Sequence, residues 1–296
     1  MRVAIIGGAG RMGRLFARYF HQRGDEVIIS DIDEEKARIF ADNLGIRMAR
    51  NNMEAAESAE LIMVCTPIET ASTVINDLLG GIRGSAVLTE ISSVKSPVMP
   101  VMRKAVEKGL NVLSVHPLFG PGVKDVSGER IAVVPVEDEA SEIGLARRIF
   151  PDMRILSVDF ERHDYVMALT LSLTHFMNMA FASVLADEDL RELKSLGGTT
   201  FRMQMMLIEG MMTEDPGLFT SIQMCNPYTI RQLQRFLTEA IELIGHIQRE
   251  ERGKLGEFYD KVFSALSKHG DLAGSYEAMY KALRIIEESC GDNPNP

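Results

Sequence analysis

The sequence predicts an α/β chain with an N-terminal, mostly parallel sheet covered by helices and an all-helical C-terminal domain. Short apolar runs alternate with helix-period segments from residue 2 to residue 158. A glycine-rich turn joins the first run to the first helix. Strand signals stop at Asp159, and every later segment has helical periodicity. Repeated βα units of this kind build a parallel sheet with both faces covered.

The first unit is the most informative. Residues 2–6 form an apolar run of strand length that breaks into Gly7-Gly8-Ala9-Gly10-Arg11-Met12-Gly13. The chain then turns helical through Leu15, Phe16, Tyr19 and Phe20, and a second run at 27–29 ends at Ser30 and Asp31. Strand, glycine turn, helix, strand, acid is the order of a Rossmann-type dinucleotide-binding unit. Gly8 is expected to make the tight turn, Gly10 to let the backbone approach a pyrophosphate, and Gly13 to let the helix lie close to the strand. The helix N-terminus offers unpaired N–H groups and a positive dipole end to the phosphates. Asp31 is placed to hydrogen-bond the adenosine ribose hydroxyls. A 2′-phosphate there would meet its charge, and Ile32-Asp33 supplies no Arg or Ser to receive one, so NAD is expected over NADP.

The alternation continues with helix 34–44, strand 46–48, strand 61–65, helix 68–79, strand 86–89, helix 97–107 and strand 111–115. A loop at 118–128 leads to strand 130–135, helix 139–150 and a last strand at 153–158. Ligands on such sheets bind outside the carboxyl ends of the strands. The turn at 8–13, Thr66-Pro67, Ser92-Ser93 and His116 all follow strand ends and should line one rim. Helices are expected over 160–186, 189–212, 216–225, 228–250, 253–269 and 275–288, with breaks at Gly197-Gly198 and Asp215-Pro216-Gly217. The expected domains are therefore 1–158 and 159–290, with a frayed tail at 291–296.

A chain of 296 residues has room for about two domains. Its formal charge of −10 argues against nucleic acid or an anionic membrane as partner, and any anionic substrate must be held by local cations. Cys65, Cys225 and Cys290 are odd in number and lack metal-ligand spacing, which suits a reducing cytoplasm and predicts no metal. The sequence opens directly on a strand, so no signal peptide is expected. Residues 167–186 carry no formal charge and approach the length of a membrane span. Thr170, Ser172, Thr174, His175, Asn178 and Ser183 favour instead a helix buried in protein, at a subunit interface. The methionines of Met203-Gln204-Met205-Met206 and Met211-Met212 read as adaptable packing.

Thr89-Glu90-Ile91-Ser92-Ser93-Val94-Lys95, His116-Pro117-Leu118-Phe119-Gly120-Pro121, and His163-Asp164-Tyr165 running on to His175 together resemble the prephenate dehydrogenase (TyrA) family. The opening glycine turn is similar to that family's nucleotide-binding turn, and the resemblance covers residues 1 to about 265. It implies NAD-dependent oxidation and decarboxylation of prephenate, or of its amino analogue arogenate, by a homodimer joined through the helical half. It implies that His116 accepts the substrate hydroxyl proton, a task suited to an imidazole. Ser93 would bond the same hydroxyl, and His175 would contact substrate. The cofactor would rest on Gly8, Ala9, Gly10, Arg11, Met12, Gly13, Asp31, Thr66, Pro67 and Ser92. Lys95 is assigned to substrate binding, with a solvated lysine as the plain alternative.

The chain departs from the family pattern at Gly210, where an arginine for a substrate carboxylate commonly stands. Arg202, two turns earlier on the same helix, is the nearest replacement, and Arg231 is second. Two other readings are open. A β-hydroxyacid dehydrogenase would need a lysine on the long helix, and residues 160–186 contain none. A non-catalytic NAD-sensing protein would not need Ser93, His116 and His175 together.

Overall fold

The computed structural model describes residues 1–82 and 85–289. Cys290 and the expected tail at 291–296 lie outside the described residues. The strands are β1 (Arg2–Ile6), β2 (Glu26–Ser30), β3 (Arg47–Met48), β4 (Leu61–Val64), β5 (Val87–Glu90), β6 (Asn111–Pro117), β7 (Arg130–Val133) and β8 (Arg154–Ser157). They form one sheet in the order β3-β2-β1-β4-β5-β6-β7-β8. Every pairing is parallel except β6 with β7. The carboxyl ends of β1, β2, β4, β5 and β6 therefore share one edge, the place where a parallel sheet holds ligands.

Helices α1 (Arg11–Gln22), α2 (Glu34–Leu44) and α6 (Glu139–Ile149) cover one face; α3 (Asn52–Ala56), α4 (Ile68–Leu78) and α5 (Met99–Glu107) belong to the core of the other. Phe16, Phe20 and Phe150 fill the first core, with ring centroids 6.0–6.5 Å apart. Ile62, Ile75, Leu78 and Leu88 fill the second. Asp33 caps α2 by accepting the Lys36 N–H, and Gly45 ends it in the left-handed conformation at φ 74°. The five-residue α3 has too little periodicity to be read from sequence.

The remaining helices are α7 (Phe160–Met167), α8 (Leu173–Leu185), α9 (Leu190–Leu196), α10 (Thr199–Met211), α11 (Pro216–Cys225), α12 (Thr229–Gln248), α13 (Arg252–Ser267) and α14 (Leu272–Ser289). The continuous helix expected over 160–186 is interrupted by a π-helical turn, Ala168–Ser172. Among the described residues the last strand ends at Ser157, but the compact units divide elsewhere than at 158. One comprises Met1–Ser172 and Pro216–Thr229; the other comprises Leu173–Asp215 and the chain from Ile230 onward. The reason is packing: α11 places Ile222 in a small apolar cluster with Ile68 and Val94. Ser172 Oγ donates to the Ile222 carbonyl, and Asn226 Nδ2 to the Asp164 carbonyl at 2.8 Å. The Phe160–Leu185 stretch has the length and hydropathy of a membrane span, a criterion that also admits helices of soluble proteins.

Candidate active site

The glycine turn is built differently from the sequence expectation in one detail. Gly7, not Gly8, takes the left-handed turn, at φ 81°. The Gly7 and Gly8 N–H groups both donate to the Ser30 carbonyl, tying the turn to the end of β2. Gly8 is required for proximity, since a Cβ there would lie 2.5 Å from Ile29 Cβ. A Cβ on Gly13 would lie 2.1 Å from the Gly7 carbonyl oxygen, so α1 rests directly on the turn.

Helix α1 begins after Gly10 with no side-chain cap and no acid in its first turn, leaving backbone donors for an anion. Asp31 accepts the Ala9 N–H at 2.8 Å and the Asp33 N–H at 3.0 Å, which holds its carboxylate against the turn. Ala9 is buried, Met12 half-buried and Arg11 exposed at the helix start. Across the edge, Thr66 Oγ1 is buried with no partner, and Pro67 opens α4. An uncapped helix, a cradle that a Cβ would fill, an acid at the second strand and an orphaned hydroxyl fit a dinucleotide.

Beyond β5 the chain turns through Ser92 and Ser93. The Ser92 N–H donates to Glu90 Oε2 at 2.7 Å, while Ser93 is half-buried. Neither Ser93 nor Ser96 caps α5, which starts after Val98. Ser96 is turned instead to Asp164, its Oγ donating at 2.6 Å. Lys95 must be moved out of the substrate-binding set. It is fully buried, with Nζ donating to Glu90 Oε1 at 2.7 Å and to the Val115 carbonyl at 2.6 Å. A buried ammonium cannot go unpaired, and these partners keep it inside rather than at the ligand edge. Burial lowers its pKa, and the Glu90 carboxylate works in the opposite direction.

His116 lies near the end of β6, buried, with Nδ1 3.1 Å from His163 Nε2. His163 Nδ1 is 2.8 Å from Asp164 Oδ1. The tautomers follow from the acid at the end of this chain. Asp164 accepts a proton-bearing Nδ1 from His163, so His163 Nε2 is an acceptor, and His116 Nδ1 must donate to it. His116 Nε2 is left as an unprotonated nitrogen with no hydrogen bond, the form a proton acceptor requires. Burial pushes the His116 pKa well below its ordinary value, and the neighbouring His163 and Lys95 push it the same way. Burial also lowers His163, against the pull of Asp164. Burial raises Asp164, but bonds from His163, Ser96 and the Lys95 N–H outweigh it and hold the carboxyl below its usual range.

His175 and Arg202 belong to the second unit. His175, on α8, is half-buried with Nδ1 enclosed and unpartnered; burial lowers its pKa, opposed by Glu214. Nearby in sequence, Asn178 is buried and accepts Gln204 Nε2 at 2.6 Å. Arg202 is exposed in the first turn of α10 and already has an interaction partner. Gly210 sits where an added Cβ meets open space. Among the described residues no cluster of His, Cys, Asp and Glu is placed to hold a metal ion.

The first unit thus brings the glycine turn, Asp31, Thr66, Pro67, Ser92, Ser93 and His116 to one sheet edge. Sequence reasoning gave no role to His163, Asp164 or Glu90. The signal for the first two was a His-Asp pair in the first turns of a helix, two polar side chains that need a tertiary partner if that face is buried. Glu90 offered a clue as an acid at the end of a strand whose neighbours in the sheet are largely apolar runs.

Two family models match the chain: the nucleotide-binding domain of prephenate dehydrogenase over residues 16–133 and its dimerization domain over 159–261. A probable arogenate/prephenate dehydrogenase of Methanocaldococcus jannaschii is 25% identical over 91% of this chain, which spans 61% of that protein's length. A 4-amino-4-deoxyprephenate dehydrogenase of Streptomyces pristinaespiralis is 24% identical, covering 95% of this chain and 97% of its own. In structure, the chain is similar to Aquifex aeolicus prephenate dehydrogenase in complex with hydroxyphenyl propionate and NAD⁺. The TM-score is 0.74 with 20% identity, over 90% of this chain and 96% of that one. With matched models in both halves and a fold to suit them, the chain belongs to the prephenate dehydrogenase family of nicotinamide-dependent oxidoreductases.

Proposed function

We propose that the protein catalyses the NAD-dependent oxidative decarboxylation of prephenate to 4-hydroxyphenylpyruvate, a step of tyrosine biosynthesis. The observation that carries this reading is the His116–His163–Asp164 chain, which leaves His116 Nε2 free at the sheet edge. When bound, the nicotinamide supplies the hydride acceptor. His116 Nε2 takes the proton of the ring hydroxyl as that carbon gives up its hydride, and the charge formed on the imidazole is shared through His163 to Asp164. Ser93 donates to the same oxygen. Carbonyl character developing on the ring draws electrons from the scissile carboxylate, and carbon dioxide leaves as the ring aromatises.

NAD is favoured over NADP because Asp31 follows β2 beside the glycine turn, where a 2′-phosphate would meet its carboxylate; Asp33 is already paired with Lys36 at 2.6 Å. His175 and Arg202 are proposed for the substrate side chain and carboxylate. The protein works as a homodimer through its helical half.

The test is turnover of prephenate, arogenate and 4-amino-4-deoxyprephenate, each with NAD⁺ and NADP⁺, followed by reduced-nicotinamide absorbance and product chromatography. Prephenate with NAD⁺ is expected to give the highest kcat/KM. Preference for arogenate moves the assignment to the amino acid substrate, and preference for the 4-amino compound moves it to an amine at the reacting ring carbon. Tight NAD⁺ binding with turnover of none of the three favours a sensing role.

A further inference from the structure

The Glu90–Lys95 pair has no part in the proton transfer just described, yet it lies beneath the groups that carry it. Both side chains are completely buried. A buried ion pair is a poor means of stabilising a fold, because desolvation offsets most of the attraction. Its bonds show what else it does. Glu90 accepts Lys95 Nζ and Ser114 Oγ on Oε1, and the Ser92 N–H on Oε2. One carboxylate thus joins the turn that carries Ser93 to the strand that carries His116. Lys95 closes a ring: its Nζ holds the Val115 carbonyl, one residue before His116, and its backbone N–H holds Asp164 Oδ1 at 2.9 Å. Asp164 orients His163, and His163 orients His116.

Resting on the reading of Ser93 and His116 as the working pair, we propose that Glu90 and Lys95 are positioning residues. They lock the Ser92-Ser93 turn, the end of β6 and the His163–Asp164 pair into one register. The ammonium, held on the Val115 carbonyl, also supplies a positive charge within electrostatic reach of His116. The groups facing that ring are Lys95 from the turn after β5 and His163 from α7, with Asp164 acting through His163 and Glu90 behind Lys95. Cys65, at the end of β4 beside Glu90, is a neutral thiol pushed up by burial and by that carboxylate.

The test uses the full chain in two forms. Glu90→Gln/Lys95→Met removes both charges at nearly constant volume, so the variant is expected to fold. Glu90→Asp keeps both charges but shortens the reach by one methylene. For the double variant, NAD⁺ affinity should stay within about threefold while kcat falls about 30- to 100-fold, the scale of a misplaced reacting group. Loss of the ammonium should also raise the pH at which kcat/KM falls on the acid side. Glu90→Asp should lower kcat about 10-fold without moving that limb. Either variant folding with kcat within about twofold of wild type would overturn the proposal. If the double variant does not fold, Glu90→Asp decides alone. If wild type turns over no cyclohexadienyl substrate, the functional reading fails separately, and ¹⁵N-histidine titration decides positioning. A raised His116 pKa in the double variant supports it, and an unchanged one overturns it.

Discussion

The first unit buries Glu90, Lys95, His116, His163 and Asp164 and gives each a partner within the same unit. The second unit is the reverse. On α12, Ile241, Ile244 and Ile247 are more than half exposed, and Tyr259, Phe263 and Leu266 on α13 are open as well. Spacings of three and four residues put such side chains on shared helix faces. Apolar area of this extent on a folded protein marks an interaction surface. The match to a dimerization domain over 159–261 covers α12 and most of α13. The two units divide the labour. Polar chemistry, costly if left incomplete, is closed within one chain, while apolar burial is left for association to finish.

The largest expected effect strikes the first unit's chemistry. His116→Gln should lower kcat about 10³-fold, within the range for loss of a positioned base, with NAD⁺ affinity within about threefold by calorimetry. Unchanged turnover would detach the buried chain from catalysis. Next comes the second unit. Ile244→Lys should weaken self-association about 100-fold, the scale of a central interface residue, and shift the protein to monomer in light scattering. Cofactor affinity of that monomer should match wild type, because its site is built within the first unit. A dimer of undiminished stability would place the interface elsewhere.

The smallest effect is on stability against pH. His116 and His163 both have folded pKa values below the ordinary 6.5. The unfolded chain therefore binds protons that the folded chain refuses. Stability is full above that pH and drains as pH falls toward the folded values. Between pH 7.5 and 5.5, Tm should fall by an amount on the order of 2–4 °C more in wild type than in His163→Gln. Equal slopes would mean that these imidazoles are not buried in neutral form.

Much of the first unit was legible because its signals are local. Strand runs, the glycine turn and the acid after β2 are each written in a few consecutive residues, and the sheet edge follows from parallel connectivity. Even so, the left-handed turn fell on Gly7 rather than Gly8, since both glycines satisfy the pattern and only contact with Ile29 separates them. Lys95 was misplaced because a lysine near a ligand edge and a lysine paired beneath it are identical in sequence. The break at Ala168–Ser172 was invisible because a π turn keeps helical composition. The division at 172 depends on where α11 packs.

By itself the sequence determined the fold class, the nucleotide-binding turn, the histidine at the end of β6 and the family, because periodicity and short motifs carry those. Only the tertiary structure decided which nitrogen of His116 is free. That depends on Asp164, 48 positions along the chain, and on the cost of leaving any member of a buried polar chain without its partner.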